Sequence, residues 1–201
     1  MKKFVAMTAA MALFAGCSDS GDPADDCAAT DETQSISDNA PSDMLTPQGW
    51  GPLQIGMTRD EVVSAVGSPA DPDAMGSPEP EFCDQFPPAR APAGLYVMLE
   101  NGLLSSITLS EGSTIETPEG LSVGDSAHAV RAAYGDRLEV FPHHYIGLPA
   151  EYLTVWTTGE IGENGTQDEN ARGIRYETNE DGVIQLIHAG GPSIQYVEGC
   201  L

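Results

Sequence analysis

The sequence predicts an α+β body made of two tandem repeats, each a short helix packed on an antiparallel β-sheet. Three observations carry this expectation. Sliding the 201-residue chain on itself by 68 positions lays 51–67 on 119–135, where Leu53/Leu121, Gly56/Gly124, Val62/Val130 and Gly67/Gly135 coincide. Each segment holds a hydroxyl residue placed to cap a helix, Thr58 and Ser126. Downstream of each lie two apolar runs around a turn dipeptide, Asn101-Gly102 and Asp181-Gly182.

The chain opens with a segment that reads as a signal peptide over 1–16. Lys2 and Lys3 give it a positive start, 4–15 an apolar run, and Gly16-Cys17 a small-residue exit. Roughly 12 apolar residues are too few to cross a hydrocarbon core that needs about 20. The run Leu13-Phe14-Ala15-Gly16-Cys17 resembles a bacterial lipobox, which implies that Cys17 is lipidated and becomes the first residue of the mature chain. Ser18, not Asp, follows it. By the sorting rule of such lipoproteins, that implies an outer-membrane location facing the periplasm or the exterior. Residues 17–48 carry eight acidic residues, no base and almost no large apolar side chain, so they read as a lipidated, acidic, flexible tether.

The first repeat is expected over 49–118 and the second over 119–201. Thr58 caps a helix at Arg59–Val66, Glu61 completes a capping box and Gly67 stops the helix. Ser126 caps Ala127–Tyr134 and Gly135 ends it, but Ala129 forfeits the reciprocal half of the box. Val62 with Val66, and Val130 with Tyr134, make one short apolar stripe per helix. Helices of about eight residues do not stand alone, so a sheet must receive them. Strands are expected at 95–99 and 103–109, and at 174–178 and 183–188, with further strands at 152–157 and 193–197.

The run Leu53-Gln54-Ile55-Gly56-Met57-Thr58-Arg59-Asp60-Glu61-Val62, followed by Gly67-Ser68-Pro69, resembles the Ile-Gly-Met-Thr-x-x-Glu-Val…Gly-x-Pro signature of the SmpA/OmlA lipoprotein family. The doubled arrangement is similar to that of secreted β-lactamase-inhibitor-like proteins. These resemblances imply short helices on antiparallel strands and action by binding other proteins. One kind assists outer-membrane barrel assembly; the other occludes an enzyme. Asp125 and Ala129 depart from the motif in the second segment, so no partner-contacting residue is carried over.

Charge excludes one class of partner. With 31 acidic and 8 basic residues the net charge is −23, which repels phosphate backbones, so no nucleic acid is expected. Both lysines leave with the leader, so six arginines face 31 carboxylates and the mature charge is −25. With Cys17 assigned to lipid, Cys27, Cys83 and Cys200 remain, and three thiols cannot all pair within one chain. Cys83 and Cys200 belong to the expected body and Cys27 to the tether, so the expected disulfide is Cys83–Cys200.

No metal or cofactor is expected. His143 and His144 are adjacent and on a strand would face opposite ways, and no Cys or carboxylate stands at zinc spacing. Glu177, Asn179 and Asp181 mimic the start of a calcium loop, but His188 occupies its twelfth place. Nucleophile-elbow, phosphate-loop and zinc-protease motifs are missing, so no catalytic residue is assigned. Trp50, Phe82, Phe86, Phe141, Tyr145 and Trp156 suit either core packing or anchoring of a partner.

The functional expectation is a lipid-anchored, non-catalytic module that binds an unknown protein of the cell envelope. The alternative is a small periplasmic ligand-binding protein or hydrolase. Its site would lie between the repeats and use His128, His143, His144 or His188. The address has a direct test: in cells fed labelled palmitate the chain should take up label and Cys17→Ser should not. Equal labelling of both overturns it.

Overall fold

The computed structural model describes residues 42–71, 77 and 79–200. The chain divides into two units, Met1–Ser37 and Asp38–Leu201, and the described residues belong to the second. The expected signal segment, Cys17, Cys27 and the tether as far as residue 41 lie outside the described residues.

Residues 42–48, read above as the end of the tether, enter the fold. β1 (Ser42–Thr46), β2 (Gly49–Gly51) and β3 (Leu53–Gln54) form a three-stranded antiparallel sheet in that order. Leu45 explains why: its side chain is fully buried in the core, and its N–H donates to the Glu116 carbonyl at 2.8 Å. The three strands fold this tightly because residue 49 is glycine. It sits at φ 150°, and a Cβ there would lie 2.0 Å from the Leu53 carbonyl oxygen.

Beyond α1 (Arg59–Val66) come β4 (Cys83–Phe86), β5 (Leu95–Glu100) and β6 (Leu103–Leu109). After α2 (Ala127–Tyr134) come β7 (Glu139–Pro142), β8 (Glu151–Thr158), β9 (Arg172–Thr178) and β10 (Ile184–Gly190). These strands make one seven-stranded antiparallel sheet in the order β4-β5-β6-β10-β9-β8-β7.

This overturns the expected fold class. Among the described residues the fold is mostly β, with a three-stranded and a seven-stranded sheet and two short helices, and the two halves do not each build a helix-on-sheet repeat. The physical reason is edge pairing. Hairpins β5–β6 and β9–β10, left apart, would each expose a row of unpaired backbone groups. Instead β6 and β10 pair with each other, Leu109 opposite Ile187, Thr108 opposite His188, Ile107 opposite Ala189 and Ser106 opposite Gly190. The expected strand at 193–197 is also absent. Gly191 and Pro192 open a 3-10 turn at Pro192–Gln195, because proline fixes φ and has no N–H for a ladder.

What does recur is a local clamp between each helix start and its hairpin. The Arg59 and Ala127 N–H groups donate to the carbonyls of Gly102 and Gly182 at 3.0 and 2.7 Å. Gly56 and Gly124 donate to Leu104 and Ile184 at 2.8 and 2.9 Å. The turns behind these clamps differ. Asn101 and Gly102 both take positive φ, 50° and 79°, as a type I′ hairpin requires. In the second turn Asn179 Oδ1 instead accepts from the N–H groups of Asp181 and Val183 at 3.0 and 2.9 Å, which commits the oxygen that a calcium loop would use.

One face of the large sheet and both helices share a single core. Val62, Val66, Val130 and Tyr134 pack with Val97, Leu99, Ile107, Leu109, Leu153, Val155, Ile174 and Ile187. The opposite face is crossed by the chain's last ten described residues, here called the strap. Arg175 Nη1 on β9 donates to the Ile194 carbonyl at 3.0 Å, and Tyr196 Oη donates to Glu100 Oε1 on β5 at 2.9 Å. Finally Cys200 joins Cys83 on β4 by a disulfide that closes 117 residues. A loop of that length contributes on the order of 4 to 5 kcal/mol in the chain-entropy account.

The two caps are unequal. At Thr58 the capping box is complete: its N–H donates to Glu61 Oε2 at 2.8 Å while its hydroxyl accepts from the Glu61 N–H. Ser126 accepts from the Ala129 N–H at 3.2 Å without reciprocation. Thr58→Ala should cost about 1 kcal/mol in urea unfolding, and Ser126→Ala less.

Candidate functional site

The alternation of β-strands puts Thr108 of β6, His188 of β10 and Glu177 and Arg175 of β9 on the strap side of the sheet. Thr108 and His188 are direct cross-strand partners, and Thr108 Oγ1 lies 2.9 Å from His188 Nδ1. In the β9–β10 ladder Arg175 pairs with His188 and Glu177 with Leu186, which carries Glu177 diagonally beside His188. Glu177 Oε2 is 3.7 Å from His188 Nε2, and its Oε1 is 2.9 Å from Nε2 of His143, which stands in the loop after β7.

His143 is fixed on three sides. Its Nδ1 accepts from the N–H groups of Tyr145 and Ile146 at 3.2 and 3.4 Å, which leaves the ring proton on Nε2, donated to Glu177. Its ring stacks on Tyr152 at 4.7 Å between centroids. Burial alone favours protonation of Glu177, but the interactions with His188 and then His143 outweigh it and hold its pKa below the ordinary glutamate value. Beside it, the Arg175 guanidinium lies 3.5 Å above the Tyr152 ring centre. Burial lowers the Arg175 pKa, opposed by Tyr152 and Glu177.

Two cavities flank the strap. A groove of about 410 Å³ is lined by Gln85, Tyr96, Met98, Thr108, Glu177 and His188, among others. On the other side a cavity of about 320 Å³ is walled by Phe141, His144, Tyr152, Thr154, Arg175 and Gln195, among others. Outside both, Tyr145, Ile146 and Leu148 project from the loop before β8, with Leu148 69% exposed.

The structure thus brings His143 and His188 onto one carboxylate and puts His144 on a neighbouring cavity wall. His128 sits apart on α2, against the opposite face. The candidate aromatics divide: Phe86 is buried and Trp50 and Trp156 are half-buried, while Phe82, Phe141 and Tyr145 are exposed. Three site residues escaped sequence reasoning, namely Thr108, Glu177 as a partner of histidines, and Arg175. Only Arg175 left a signal, a lone cation inside the apolar run Gly173-Ile174-Arg175-Tyr176.

Thr108, His188 and Glu177 resemble a nucleophile, base and acid in order, but the 3.7 Å gap between His188 and Glu177 exceeds hydrogen-bond reach. The arrangement holds side chains in place and offers polar groups to a ligand. Among the described residues, no group of three or more His, Cys, Asp or Glu is placed to hold a metal ion.

Glu177 faces His143, His188 and Arg175. A carboxylate with a lowered pKa contributes stability that is present above the ordinary glutamate range and is lost as pH falls through its own lower value. Glu177→Gln should therefore unfold at lower urea than wild type at neutral pH. The gap should close as pH falls below 4.5, the ordinary glutamate value. A gap that stays constant across that range contradicts this assignment.

No protein-family model, curated protein or solved structure matches this chain, so its site is read from its own geometry.

Proposed function

We propose that this chain is a lipid-anchored, non-catalytic binding module of the cell envelope that receives a protein partner at the β7 end of the strap face. The observation supporting this is a concentration of exposed apolar side chains. Of the eleven large hydrophobic residues exposed on the described surface, four fall within 141–148: Phe141, which pairs with Tyr152 and so faces the strap side, and Tyr145, Ile146 and Leu148 of the loop that follows. Tyr196 and Val197 of the strap line a hollow together with Tyr145, which extends the patch. A contiguous apolar patch with an aromatic centre marks an interaction surface on a soluble fold. The acidic remainder of the molecule suits a partner with a basic rim.

The partner is an envelope protein, and the expected lipid at Cys17 and outer-membrane address belong to the same reading. The alternative, a ligand-binding protein, draws on a separate observation: His143 and His188 meet at Glu177 in the wall of a groove.

Photo-crosslinking in intact cells separates surface from surroundings. A benzoylphenylalanine at Tyr145 should give a discrete crosslinked species, and one at His128 on the opposite side should not. In a chain crosslinking from Tyr196, the double variant Tyr145→Ser, Leu148→Ser should lose that species at an unchanged unfolding temperature. No species at 145, or equal yields at 145 and 128, overturns the proposal.

A further inference from the structure

The structure assigns a second kind of binding to this face: we infer that the cavity between β7 and the strap is a carboxylate-binding site in which Arg175 holds the anion. This goes beyond the partner-binding reading and does not rest on it.

Arg175 is only 4% exposed, yet none of the four ion pairs among the described residues includes it. Its Nη1 donates to the Ile194 carbonyl, while its Nε is buried with no acceptor. The Nε side of a guanidinium is one edge of the planar fork that receives a carboxylate through two parallel hydrogen bonds. The Tyr152 ring lies 3.5 Å from the centre of that fork and restricts its movement. The carboxylates nearby are committed elsewhere. Glu177 is engaged by His143 and His188, and Glu139, in the cavity wall, accepts from Trp156 Nε1 at 2.9 Å. A buried guanidinium edge without an acceptor is costly to the fold, and an anion seated beside it offsets that cost.

The cavity also describes the rest of the ligand. Its volume, about 320 Å³, lies at the small end of the range for ligand sites. Phe141, Pro142 and Val197 give it apolar walls, and Thr154, Asn164 and His144 add polar groups. Glu139 in its wall opposes a second negative charge, so the occupant is a monocarboxylate with a compact apolar body. Salt at about 0.15 M screens charges more than about 8 Å away, so Arg175 outweighs the distant acidic surface. Such a group occurs on free organic acids and at the C-terminus of a polypeptide.

The test is an NMR titration of the full chain at physiological salt, observing the arginine Nε–Hε resonances. The probes are benzoate, N-acetylphenylalanine and N-acetylphenylalaninamide, the last differing from the second only in lacking the carboxylate. Arg175 Nε–Hε should shift and saturate with an acid, and the amide should bind at least about tenfold more weakly. In the variants, which lack that resonance, the backbone amides of Thr154 and Gln195 in the cavity wall are followed instead: their shifts with acid should be lost in Arg175→Met and weakened in Arg175→Lys. Comparable binding of benzoate and N-acetylphenylalanine indicates a free organic acid; preference for the latter indicates a chain terminus; both support the site. An amide that binds as well as the acid, or an Arg175 resonance unmoved by both acids, overturns it. If Arg175→Met fails to fold, the wild-type comparison of acid with amide still decides. This titration needs no protein partner, so its result stands apart from the crosslinking outcome.

Discussion

The backbone ladder between β6 and β10 is the constraint on which the rest of the molecule depends. Four register pairs, from Ile187 opposite Leu109 to Gly190 opposite Ser106, make one sheet of what would otherwise be two edges. Because side chains alternate across a strand, that pairing fixes both faces at once. Ile107, Leu109, Ile187 and Ala189 fall on the side that the helices cover, and Thr108 and His188 meet on the other. A slip of one residue would exchange them, exposing core and burying imidazole.

The two faces are closed by different means. The helix side closes by apolar burial, with fully buried aliphatic side chains each contributing about 1.5 to 3 kcal/mol. Tyr134 and Tyr176 carry a polar chain through it from Glu119 to Thr117, and burial pushes the Tyr176 pKa up to about 12. Among the described residues the strap side has no second layer. A short segment is held there by the Arg175 bond to Ile194, by Gln195 Nε2 donating to the Thr166 carbonyl at 2.8 Å, and by the disulfide at its end. A strap is narrower than a layer, so hollows remain on either side of it. The same economy of cover that leaves Arg175 Nε without an acceptor also leaves room beside it.

The polar row on this face is ordered outward from the seam. Thr108 and His188 straddle it, Glu177 follows on β9, and His143 reaches in from the β7 side. Each member restricts the next, since His143 has a single proton to give and Glu177 divides its oxygens between two rings. Such a row is worth more when complete than its pairs suggest separately. Its near resemblance to a reactive triad stops at geometry, because the central imidazole and its acid stand 3.7 Å apart, beyond hydrogen-bond reach.

Sequence alone determined what short-range hydrogen bonding can determine. Thr58 with Glu61, and Ser126 without a partner at Ala129, set where the helices Arg59–Val66 and Ala127–Tyr134 begin, and Asn101-Gly102 set a two-residue turn, since each involves groups a few residues apart. The tertiary structure decided the fold class, because a strand edge does not encode which distant edge will satisfy it. Two hairpins with local helices read as two sheets until β6 meets β10. It also drew Leu45 out of an acidic segment into the core, made 3-10 backbone of residues expected to be a strand, and added the short edge strands β4 and β7, whose few residues carry too little alternation to be read. The site follows the same division. Histidines are visible in a sequence, but which of them share a carboxylate, and which arginine is buried with a free Nε, depends on contacts between residues tens of positions apart.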